Sequence, residues 1–139
     1  MPFTLNERLA ADTTRIASLP LCELLLMNDA RFPWCILVPR HEGARDIIDL
    51  DEAGIQQLNT ESVALQRTLR TLFSPDKLNV AAIGNLVPQL HVHHVARFRH
   101  DSEWPAPVWG RGTALAYDPA ERDRRINRLR GALASLVTG

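Results

Sequence analysis

The chain predicts an α+β fold, an antiparallel sheet with helices packed on it. Three observations carry this. Two apolar runs, residues 19–27 and 34–39, flank a short turn-forming segment, as an antiparallel hairpin requires. Two segments, opening at Asp49 and at Asp118, set capping residues ahead of apolar positions at helical spacing. Helices and strands are interspersed without the strand–helix–strand rhythm of a parallel sheet.

Taken in order, residues 6–16 predict a short helix with Leu9, Thr13 and Ile16 on one side. Residues 19–27 predict a strand. Asn28-Asp29-Ala30-Arg31-Phe32-Pro33 predicts a turn, since Asn and Asp bond their own backbone and tolerate unusual angles. Residues 34–39 predict the returning strand, and 41–48 a connection. A long helix follows, with Asp49 as N-cap and Glu52 placed for a capping box. Ile55, Leu58, Leu65, Leu69 and Leu72 give it an apolar face, and Pro75 sets its latest end. Residues 78–83 predict a strand, Gly84-Asn85 a turn, and 87–98 a further strand. Residues 99–117 hold two tryptophans, two prolines and two glycines and predict an ordered loop. In the last helix Asp118 is the N-cap, Pro119 the first residue, and Glu121 the capping-box partner. Ile126, Leu129, Leu133 and Leu136 form its apolar stripe. Arg122, Arg124, Arg125, Arg128 and Arg130 read as a solvated face.

The 139 residues suit one domain spanning 1–139, with a motif-bearing core at roughly 20–100 and a C-terminal loop and helix over 99–139. Hydrophobic residues make up 45% and charged residues 23%, with zero formal net charge, so nothing here argues for a nucleic-acid or membrane partner. No apolar run approaches the roughly 20 residues of a membrane span. The opening residues lack an apolar core followed by a cleavage site, which predicts no signal peptide. Cys22 and Cys35 lack metal-ligand spacing. They read as reduced core residues, which suits the cytoplasm.

The most informative stretch is Gln89-Leu90-His91-Val92-His93-His94-Val95-Ala96-Arg97-Phe98. On a strand, alternate side chains share a face, so Gln89, His91 and His93 would form one polar strip, with His94 on the other side. Neutral imidazole is a good nucleophile toward phosphorus and a good leaving group from it, which suits two-step phosphoryl or nucleotidyl transfer. The transferring phosphate also needs donors, and a second histidine on the same face supplies one. Arg97 continues the parity and either adds charge or lies on the surface. The Gly84-Asn85 turn places N–H groups near a phosphate. Two other readings stay open: His91 and His93 as two ligands of a metal, or as hydrogen-bonded structural residues. His94 reads as a packing or partly exposed residue.

The run resembles the motif of the histidine triad (HIT) superfamily of nucleotide-binding hydrolases and transferases, His-φ-His-φ-His-φ-φ with φ apolar. Gln89 stands where the first histidine would be, and His94 replaces an apolar residue. The resemblance extends to Leu24-Leu25-Leu26-Met27-Asn28-Asp29 and Pro33-Trp34-Cys35-Ile36-Leu37-Val38-Pro39-Arg40, similar to the family's early hairpin. It also takes in Asn79 and Gly84-Asn85 ahead of the motif. Trp104 to Gly110 and the last helix look like a bacterial subgroup's extension.

The resemblance implies a HIT-like fold and a homodimer whose sheets join. It makes His91 the nucleophile that forms a nucleotidyl-histidine and His93 a phosphate-binding residue. Gln89 takes the supporting position, where an amide hydrogen-bonds but does not titrate. Asn28 or Asp29 takes the ribose contact, Asn85 a phosphate contact, and Asn79 completes the nucleotide-binding set. The implied activity is cleavage of a phosphoanhydride or phosphoramidate of a nucleoside monophosphate, such as a diadenosine polyphosphate or an adenosine phosphoramidate. It needs no metal in the covalent role, with Mg²⁺ accompanying a polyphosphate. The rival is a nucleotide-binding or sensing protein with little turnover, kept alive by Gln89.

Overall fold

The computed structural model describes residues 2–139. Its elements are α1 (Glu7–Asp12), β1 (Thr13–Ser18), β2 (Cys22–Met27), β3 (Trp34–Pro39), α2 (Glu52–Phe73), β4 (Lys77–Ala82), β5 (Val92–Arg97) and α3 (Pro119–Ala132). The strands form an antiparallel sheet in the order β1-β2-β3-β5-β4. The predicted α+β class and the hairpin of β2 and β3 are as read, with Leu25 opposite Ile36 and Leu24 opposite Leu37.

Both faces of this sheet are covered, which explains why β2 and β3 read as continuous apolar runs rather than alternating ones. Leu24, Leu26, Cys35, Leu37 and Val92 pack against Leu58, Leu65 and Leu69 of α2 and Leu129 of α3. Leu25, Trp34, Ile36, Val38 and Val95 face the other way. They meet Leu9 of α1 and Val108 of the long C-terminal loop. Cys22 and Cys35 are free and buried, as expected. Burial pushes the Cys35 thiol up to about 12.

Five local readings are corrected. The predicted helix over 6–16 ends at Asp12, and Thr13–Ser18 pairs with β2 instead. β-branched Thr13, Thr14 and Ile16 favour that edge strand once β2 is there to receive it. The strand predicted from residue 19 starts at Cys22, because residues 19–21 turn the chain. That turn is held by Glu61 of α2, a fully buried carboxylate that accepts from the N–H of Leu21 at 2.8 Å and of Cys22 at 2.9 Å. The cap of α2 is Asp51, which accepts from Gly54 N–H at 2.7 Å. Asp49 instead closes a 3-10 turn by accepting from Asp46 N–H. Leu50 between them is buried and extended, so the helix cannot begin earlier.

The strand predicted over 87–98 is shortened to Val92–Arg97. Pro88 has no N–H to give a ladder, and Leu90 N–H donates to Ala44 O at 2.9 Å, outside the sheet. Finally, the arginine face of α3 is only partly solvated. Arg125 lies 4.8 Å over the Phe73 ring, and Arg128 5.5 Å over the same ring. Arg130 donates to Ile16 O at 3.1 Å and ties the helix to β1.

Candidate functional site

The site lies where β5 begins. Its strand pairing sets His93 opposite Ile36 on one side and Ala81 on the other. His93 therefore faces away from α2, together with Trp34 two residues before Ile36. His91 precedes the strand, yet its ring comes to the same side, 5.0 Å from the His93 ring centre. Both open on a cleft of about 840 Å³, walled by Arg8 and Asp12 of α1, the turn after β2, Gly84-Asn85 and Trp109. Gly84 adopts φ +71°, a left-handed conformation that suits glycine at this turn.

Hydrogen bonds assign the tautomers. His91 Nδ1 lies 2.7 Å from the backbone oxygen of Gln89. A carbonyl only accepts, so in the neutral ring Nδ1 carries the proton and Nε2 keeps its lone pair. His93 is set the opposite way. The Trp34 indole N–H donates to His93 Nδ1 at 3.0 Å. Neutral His93 therefore holds its proton on Nε2 and is a donor there. One face thus presents a nucleophilic nitrogen next to a hydrogen-bond donor. Burial, then the neighbouring His91 and His94, lowers the His93 pKa to about 3, so it remains neutral through the physiological range.

The other side of the strand is different. His94 Nδ1–H donates to Val92 O at 2.9 Å, and its Nε2 lies 2.7 Å from Ser62 Oγ on α2. Burial lowers its pKa to about 4. It is a packing residue, not a partly exposed one.

Of the residues singled out in the sequence, His91, His93, Asn28, Asp29 and Asn85 line the cleft. Gln89 and Asn79 serve neighbouring contacts. The Gln89 amide reaches the N-terminal segment, accepting from Asn6 N–H at 2.8 Å and donating to Thr4 O at 2.9 Å. Its backbone, rather than its side chain, holds His91. Asn79 Oδ1 accepts from Arg97 at 3.2 Å. Arg97 is neither a cleft cation nor a surface residue. It is 1% exposed, between the rings of Phe32 and Trp104, and bonded twice to Asp101. Burial raises the Asp101 pKa, but the Arg97 bonds and backbone N–H groups outweigh it and hold the value at about 2.

Asn28 and Asp29 also separate. Asp29 is 3% exposed and gripped by Arg31 through contacts at 3.0 and 2.8 Å, while also accepting from Leu115 N–H. Burial raises its pKa and the Arg31 bonds more than reverse this. Asn28 is exposed and accepts from Tyr117 N–H at 3.1 Å. Both residues thereby anchor the C-terminal loop against the hairpin turn.

Sequence reading missed Trp34, Trp109 and Arg8 as site residues. Trp109 sits edge-on to His93 at 5.3 Å and to Trp34 at 6.2 Å. The aromatic, glycine-flanked stretch over 104–112 was the available signal for it. Among the described residues no three His, Cys, Asp or Glu side chains gather as a metal-holding group.

Comparisons with known proteins identify the family and the fold. Residues 8–100 match the family model described as HIT domain. A histidine triad protein from Bradyrhizobium japonicum is 48% identical over 95% of this chain and 98% of its own, with a TM-score of 0.93. One from Marinobacter aquaeolei VT8 is 45% identical over 99% and 100%, with a TM-score of 0.95. One from Sinorhizobium meliloti 1021 is 39% identical over 94% and 97%, with a TM-score of 0.92. No curated protein matches the chain.

Proposed function

The chain belongs to the HIT domain family, and from that premise we propose that it is a nucleotide hydrolase or transferase working through a nucleotidyl-histidine. The observation that carries this is the bond from His91 Nδ1–H to Gln89 O, which leaves the Nε2 lone pair facing the cleft. In the first step Nε2 attacks the α-phosphorus and forms a P–N bond. The leaving phosphate departs with the electron pair of its own bond to phosphorus, and a leaving amine does so while taking up a proton from solvent. His93 Nε2–H donates to a non-bridging oxygen and spreads the negative charge. Water then attacks the same phosphorus, the P–N bond breaks, and the nucleoside monophosphate is released as a proton passes to solvent.

Trp34 fixes the donor tautomer, and Asn85 beside Gly84 supplies a further phosphate contact. Asn28, the exposed member of its pair, takes the ribose, while Asp29 keeps the turn in place. These residues perform the covalent chemistry without a metal, and Mg²⁺ arrives with a polyphosphate substrate as its counter-ion. The substrate class is a phosphoanhydride or phosphoramidate, represented by diadenosine polyphosphates and adenosine phosphoramidates. The test mixes the protein with a fluorogenic adenosine phosphoramidate and with diadenosine polyphosphates and follows AMP. Release with retained configuration at a chiral α-phosphorothioate supports double displacement, and inversion overturns it. Tight binding without release favours the nucleotide-sensing alternative.

A homodimer is part of the proposal. β4 is an edge strand with exposed Val80, and exposed Ile83 and Leu86 follow it, an apolar edge suited to pairing with a second copy. Light scattering after gel filtration tests it, and a monomer at micromolar concentration overturns it. No helix of the described residues is long and apolar enough to cross a membrane. The buried free thiols suit the reducing cytoplasm.

A further inference from the structure

We infer that Gln89 is a positioning residue whose amide straps the N-terminal segment to the histidine motif and so holds α1, with Arg8, as a wall of the cleft. The inference rests on the reading of that cleft as a nucleotide site.

The strap consists of two bonds of opposite sense. Oε1 accepts from Asn6 N–H at 2.8 Å and Nε2 donates to Thr4 O at 2.9 Å. A primary amide carries acceptor and donor on one carbon, so it can pair with an N–H and a C=O of one extended segment, as a neighbouring strand does. An imidazole carries them on different edges of its ring. The amide also holds the same charge at every physiological pH.

What it holds needs holding. α1 has six residues, too few to be stable alone. Asn6, the residue Gln89 grips, is its N-cap and accepts from Arg8 N–H at 2.9 Å. Leu9 is the apolar anchor, 4% exposed and packed in the cluster that includes Trp34 and Val108. Arg8 and Asp12 lie on the cleft side. Their mutual contact is long, 3.8 Å, with side chains 63% and 53% exposed, so Arg8 can turn to an anionic ligand at little cost.

The strap acts apart from the nucleophile. His91 is held by the backbone oxygen of Gln89, and the neighbouring Leu90 N–H is fixed to Ala44 O at 2.9 Å. Removing the Gln89 side chain therefore releases α1 while leaving His91 oriented. The consequence is a split between binding and chemistry.

The experiment compares wild type, Gln89→Ala, Arg8→Ala and the double variant, using AMP as the probe. Calorimetry reads affinity, amide hydrogen exchange reads Asn6, and kcat is taken with adenosine phosphoramidate. Gln89→Ala is expected to weaken AMP about tenfold and to unprotect the Asn6 amide, with kcat within about threefold. Arg8→Ala is expected to weaken AMP similarly, and the double variant no further than the worse single one. Unchanged AMP affinity, a protected Asn6 amide in Gln89→Ala, or additive losses overturn the inference. If Gln89→Ala does not fold, Gln89→Glu replaces it, retaining the Asn6 bond but opposing Thr4 O. Wild-type affinity in that variant overturns the strap, and a partial loss supports it. Failure of wild type to bind AMP would instead defeat the nucleotide reading, while Asn6 exchange still decides whether the strap exists.

Discussion

His93 and His94 are adjacent on β5 and face opposite sides of the sheet. Both are buried, and burial lowers both pKa values, to about 3 and about 4. On the cleft side, Trp34 occupies only Nδ1 of His93 and leaves its Nε2 to serve a ligand. On the helix side, Val92 O and Ser62 occupy both nitrogens of His94. The two share strand, burial and protonation behaviour. They differ in whether the protein has already used their hydrogen-bonding capacity. A histidine becomes useful for chemistry here when one nitrogen is committed to orientation and the other is withheld, as also holds for His91.

The sharpest way to break this comparison is His91→Ala. It is expected to lower turnover by several orders of magnitude while the melting temperature stays within a few degrees, because donors alone cannot form the covalent bond. Assays of AMP release with purified protein check it, and retention of half the wild-type rate would remove the nucleophile from the scheme.

Trp34→Phe comes next. It deletes the indole N–H that assigns the His93 tautomer and keeps most of the ring packing. A fall in kcat of about two- to fivefold is expected, since the phosphate donor is then present only part of the time. Imidazole ¹⁵N shifts should show mixed tautomers at His93. A pure Nε2–H form with a wild-type rate would show that Trp34 does no more than pack.

Acid stability tests both histidines together. Their folded pKa values lie below the unfolded value of about 6.5. The unfolded chain thus binds more protons as pH falls from about 6.5 toward 4, and the fold loses stability across that window. The limiting slope is about 1.4 kcal/mol per pH unit for each histidine. Urea midpoints at pH 7, 5.5 and 4.5 measure it, and a flat profile would contradict the burial of these rings as the cause.

The smallest expected effect on activity is His94→Val. It should change turnover by less than about twofold while costing about 1–3 kcal/mol of stability through Ser62, which loses a partner. It should also reduce the acid slope by one histidine's share. A loss of activity comparable with His91→Ala would mean that the two faces are not separate.

Most of the sheet was legible because its strands are apolar enough to be read without knowing their neighbours. β3 was found to the residue, and the cap of α3 at Asp118 was correct, accepting from Glu121 N–H. β1 was not, because Leu9, Thr13 and Ile16 satisfy helical spacing by chance, and only pairing with β2 reveals the break at Asp12. The arginines of α3 looked solvated because charge is a poor guide when an aromatic ring such as Phe73 waits on another element.

The sequence by itself determined the α+β class, the hairpin and the histidine motif, since these follow from local patterning, and the roles proposed for His91 and His93 follow from the chemistry of imidazole. Tertiary structure decided that His93 keeps Nε2 free and that His94 keeps neither nitrogen free. That depends on partners 59 residues away in Trp34–His93 and 32 in Ser62–His94. It also turned Gln89 away from His91 toward Asn6, 83 residues distant along the chain. Hydrogen bonds are short and directional, so a residue's type states what it can donate or accept, and only the fold states which group stands within 3 Å to receive it.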